Sequence, residues 1–82
     1  MTFKEFNELD KMDQLKSVLD KGTELSKRTE GGHKIVLYQV FAFYVELYYL
    51  AEINILRMMA SFPDADKLDV YISRFNINYF GN

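Results

Sequence analysis

The chain has 82 residues, 49% apolar and 27% charged, with ten basic and twelve acidic side chains giving a net charge of -2. Such a composition belongs to ordinary globular proteins rather than disordered or fibrous ones, and a single domain this small buries only about 60 to 65% of its unfolded surface. The slightly acidic balance gives no long-range pull toward phosphate backbones or anionic lipid, and the absence of cysteine excludes disulfides, thiolate nucleophiles and cysteine-ligated metals.

Thr2 and Glu5 have the spacing of a capping box, and Phe3, Phe6 and Leu9 follow at helical intervals, which predicts a first helical turn or two. Asp10 and Asp13 repeat a start signal. Met12, Leu15, Val18 and Leu19 then form a stripe, and Gly22 stands where a helix would end, so the main N-terminal helix is placed at 11–21. Phe3 and Phe6 fall on a different angular sector from Met12, Leu15 and Leu19, which predicts a bend near Asp10.

From Gly22 the period changes to two, with Thr23, Leu25 and Lys27 alternating with Glu24, Ser26 and Arg28 up to the turn signal Glu30-Gly31-Gly32. The next strand begins at His33 and enters Val36–Ala51, a run that is apolar but for Gln39 and Glu46. As a helix this run would be apolar around its whole circumference, and it is too short and too interrupted to cross a membrane. Valine, phenylalanine and tyrosine suit a pleated surface, so two antiparallel strands turning at Phe41-Ala42 are expected.

That hairpin pairs Val40 with Phe43, Gln39 with Tyr44, Tyr38 with Val45 and Leu37 with Glu46, and a turn at Gly31-Gly32 sets Leu25 opposite Tyr38. After a connection at 51–54, the strand ILRMMASF is expected to pair Leu56 with Tyr49, Met58 with Leu47 and Arg57 with Tyr48, leaving Arg57 diagonal to Glu46. Two faces result. Val36, Tyr38, Val40, Phe43, Val45 and Leu47 point to the core; Ile35, Leu37, Gln39, Tyr44, Glu46, Tyr48, Arg57 and Met59 point the other way.

Pro63 and Asp64 mark another helix start, and Leu68, Tyr71, Ile72 and Phe75 give a stripe that predicts a C-terminal helix at 65–75, followed by an extended tail. The expected fold is therefore α+β: an N-terminal helix, a four-stranded antiparallel meander sheet and a C-terminal helix in one domain. The residues LYQ, FYVELYY, Asn54-Ile55, Ser61-Phe62 and Leu68 with Tyr71 and Ile72 resemble a set of short bacterial proteins, as do Asp13-Gln14-Leu15, Gly22, Leu25 and Arg28. The resemblance covers most of the chain and implies a sheet between terminal helices. Its motifs are strand and turn residues, so it implies no activity, and Val70 stands where the shared pattern often has proline.

Chemistry is sparse. His33, the single histidine, follows two turn glycines without an evident orienting partner and reads as a solvated turn residue rather than a general base. Gly31-Gly32 fits no phosphate-binding pattern, and Asp64, Asp66 and Asp69 read as helix-start carboxylates, since the glycine and terminal glutamate of a calcium loop are missing. No serine sits in a nucleophile-elbow pattern. Aromatics on an open sheet invite comparison with single-stranded RNA platforms, but the basic, glycine-containing aromatic run is absent.

The expected function is that of a small non-catalytic interaction or regulatory protein. It would self-associate as a homodimer, or bind a protein partner, through a sheet face carrying Leu37, Tyr44, Glu46, Tyr48, Arg57 and Met59. No cofactor, metal, nucleic-acid or membrane partner is expected. The N-terminus lacks a signal-peptide pattern, so a cytoplasmic location is the default. The alternative is a small-molecule-binding or enzymatic subunit with a pocket between sheet and helix.

Overall fold

In the computed structural model, residues 1–64 are described; the expected C-terminal helix and tail lie outside them. The elements run α1 (Phe3–Glu8), α2 (Lys11–Lys21), β1 (Gly22–Glu30), β2 (His33–Val40), β3 (Phe43–Leu50) and β4 (Ile55–Phe62). The four strands form one antiparallel sheet in the order β1-β2-β3-β4, as expected of a meander.

The capping box closes α1: the Glu5 amide donates to Thr2 Oγ1 at 3.1 Å and the Thr2 amide donates to Glu5 Oε1 at 2.8 Å. Leu9 and Asp10 are then both extended, and the Asp10 carboxylate accepts from the Asp13 amide at 2.9 Å to start α2. This is the expected bend. It is braced by Gln14 Nε2, which donates to the Phe6 carbonyl at 3.0 Å. At the far end, a Cβ on Gly22 would stand 2.5 Å from the Val18 carbonyl oxygen, so only glycine lets β1 leave the helix this closely.

The helical stripe is rotated from the sequence reading. Val18 is fully buried and Leu15 half-buried, whereas Met12 is 63% and Leu19 57% exposed. The bend and the Gln14 bond to α1 set the roll of α2 about its axis, and hydrophobic spacing alone does not encode that roll.

Each connection has its own turn chemistry. Gly31 and Gly32 both take positive φ, 57° and 81°, as a two-residue hairpin favours. Asn54 closes the β3–β4 loop at φ 56°, its amide donating to the Leu50 carbonyl at 2.7 Å. Phe41 opens the β2–β3 turn at φ 54°, where a bulky side chain is strained.

The central hairpin has the expected register, from Val40 opposite Phe43 through Leu37 opposite Glu46 to Val36 opposite Leu47. The outer strands differ from expectation because each contains a bulge. In β1, Leu25 is the extra residue: Glu24 faces Tyr38 and Ser26 faces Leu37, so Leu25 is not opposite Tyr38. In β4, Arg57 is the extra residue: Leu56 still faces Tyr49, but Met58 faces Tyr48 and Met59 faces Leu47. One inserted residue moves every later side chain to the other face. Met59 therefore joins the helix side.

On that side α1 and α2 cover Val40, Phe43, Val45 and Leu47, which are buried with Phe6 and Val18; Phe3, Leu9, Leu15, Tyr49 and Met59 pack around them. The Phe43 ring lies 5.2 Å from Phe6 and 5.8 Å from Phe3, in tilted and edge-on arrangements. Ser61 Oγ donates to Asn7 Oδ1 at 2.9 Å, tying β4 to α1 on the same side.

Candidate functional site

The six residues expected to form one exposed face do not lie on one surface. Leu37 is 3% exposed and Glu46 fully buried, while Tyr44 and Tyr48 are half-buried. Arg57 is exposed at its bulge, and Met59 packs against the helix-side core. Ile35, beside them on β2, is also buried. The sheet face opposite α1 and α2 is thus closed at its centre.

What it encloses is a polar cluster. Arg28 Nη1 donates to Glu46 Oε2 at 3.0 Å, and the Tyr48 hydroxyl donates to Glu46 Oε1 at 3.0 Å. Arg28 Nε also meets Glu30 Oε1 at 3.4 Å, nearer the surface. Arg28, not Arg57, is the partner of Glu46. The signal was present in the hairpin register: Arg28 faces Ile35, and Ile35 faces Tyr48, so the guanidinium has one strand to cross to reach the carboxylate.

Burial raises the Glu46 carboxyl above the ordinary range, and the Arg28 hydrogen bond and charge act against that rise. Tyr48 is pushed up to about 12, by burial first and then by the neighbouring Glu46 charge and hydrogen bond. A carboxylate held by an arginine and a phenol in a closed layer locks strand register.

His33 is half-buried in β2 and stands edge-on to Tyr48 at 6.4 Å, rather than in a solvated turn. It borders a depression of about 420 Å³ shared with Leu50, Ile53 and Arg57. Among the described residues no group of three or more histidine, aspartate or glutamate side chains is placed to hold a metal ion. No described helix is long and apolar enough to cross a membrane.

The larger concavity, about 610 Å³, lies at the junction of α2 and the β2–β3 turn and is lined by Met1, Lys16, Leu19, Asp20 and Phe41 among others. Its floor is hydrocarbon. Leu19 and Phe41, 57% and 47% exposed, stand with half-exposed Met1, and Met12 continues the apolar row along α2. Lys16 belongs to no ion pair among the described residues, and Asp20 meets only exposed Lys21, at 3.6 Å. Between the sheet and α1 and α2 the layer is filled by Phe6, Val18 and Phe43, and the groove opens beside α2 instead.

Sequence reasoning missed this groove because it assigned Met12 and Leu19 to the core. The available signal was Phe41, a bulky residue at a turn position that favours glycine. No family model, curated protein or solved structure matches the chain.

Proposed function

We propose that this chain is a small non-catalytic interaction protein that self-associates, with its contact surface on the α2 and β2–β3 turn side. The carrying observation is the exposed apolar row of Met12, Leu19 and Phe41 on a domain too small to leave such area bare without consequence. The strained backbone at Phe41 adds support. A left-handed phenylalanine costs about 1 to 2 kcal/mol, and such outliers persist where a side chain is needed in one place. Sedimentation velocity across a wide concentration range tests the reading. The expected result is a concentration-dependent shift to twice the chain mass; a monomer at every concentration overturns it.

A further inference from the structure

On the reading that the chain self-associates, we propose that α2 of one copy packs antiparallel against α2 of a second copy about a two-fold axis. Leu19 and Phe41 form the dry centre, and Lys16 of each copy meets Asp20 of the other.

The helix surface is self-complementary in charge. Lys16 and Asp20 are one turn apart, both exposed and both lining the same groove. An antiparallel two-fold at the level of Val18 brings position 16 of each helix opposite position 20 of the other, so the same pair forms twice, as an isologous interface requires. A parallel arrangement in register would instead set lysine against lysine and aspartate against aspartate. The competing contact of Asp20 with Lys21 is exposed and long at 3.6 Å, so it yields readily.

The apolar part supplies the attraction, because exposed ion pairs contribute little beyond orientation. Leu19 falls near the axis, and the turn holds the Phe41 ring in the groove that Leu19 borders. A contact built on an eleven-residue helix and one turn is at the small end of specific interfaces, so the dimer is weak and concentration-dependent.

The test is charge reversal read by sedimentation velocity, with circular dichroism to verify the fold. Lys16→Glu and Asp20→Lys alone are each expected to weaken the dimer at least about tenfold, since each creates two like-charge pairs. Mixing the two single variants restores both opposite-charge pairs, so a heterodimer at least as tight as wild type is expected; so is recovery in the doubly substituted chain. Phe41→Gly is expected to weaken association while raising the thermal midpoint, since it relieves the positive φ of the turn. A wild-type monomer at every concentration overturns the self-association reading itself. A wild-type dimer indifferent to Lys16→Glu, Asp20→Lys and their mixture overturns this interface alone.

Discussion

The two faces of the sheet are both closed at their centres, yet by different chemistry. On the helix side, Phe6, Val18, Val40, Phe43, Val45 and Leu47 make an apolar layer with no buried charge among the described residues. On the opposite side, the hydrocarbon of Ile35 and Leu37 surrounds a carboxylate held by Arg28 and Tyr48. Apolar contact is non-directional and accepts many small rearrangements, whereas a buried ion pair demands one geometry. The second face makes a one-residue slip of β1 or β3 costly, because a slip would strand Glu46 and Arg28 apart.

The sharpest way to break the apolar face is Phe43→Ala. It removes a ring that touches both Phe6 and Phe3, with an expected loss of about 4 kcal/mol in denaturant unfolding. Next in size is Glu46→Ala, which removes the buried one of the two carboxylates that Arg28 meets, at about 3 kcal/mol. Arg57→Ala is the control for that experiment and should change stability by less than about 0.5 kcal/mol, because Arg57 is exposed. A comparable loss from both would restore the pairing expected from sequence and remove Arg28 from its role.

Tyr48→Phe is the smallest of the breaks, about 1.5 kcal/mol, since it deletes one hydrogen bond to a charged acceptor and keeps the ring. It also carries a pH signature. Tyr48 is raised in the fold to about 12 from an ordinary 10.0, so its contribution is fully present below pH 10 and is lost as pH rises through 12. Burial also raises Tyr38 and Tyr49, so tyrosinate absorbance should show several late-titrating phenols, and Tyr48→Phe should remove the component near 12. Titration of all tyrosines near the ordinary value would contradict the closed cluster.

Much of the fold was legible because local signals agreed with one another. The double glycine set a hairpin turn, the capping box and Asp10 set two helix starts, and period-two alternation fixed the pairing of Leu37 with Glu46. The outer strands were legible only up to their bulges. Nothing in the residue types of Leu25 or Arg57 announces an extra residue, yet each insertion reassigns the side chains beyond it. The β4 bulge takes Arg57 out of the pairing, while Arg28 keeps the place that the Gly31-Gly32 turn gives it, one strand from Glu46. The groove was hidden by a different ambiguity: Met12, Leu15, Val18 and Leu19 are all apolar, and their spacing allows the helix to roll by more than one position.

By itself the sequence determined what depends on neighbours along the chain: where helices begin, where the chain turns, and which residues of the central hairpin share a face. Tertiary structure decided the roll of α2, the bulges of β1 and β4, the Arg28–Glu46–Tyr48 cluster and the groove beside Phe41. These depend on how separate elements fit against one another. Packing is a matter of shape and volume between residues distant in sequence, and periodicity along one element cannot report it.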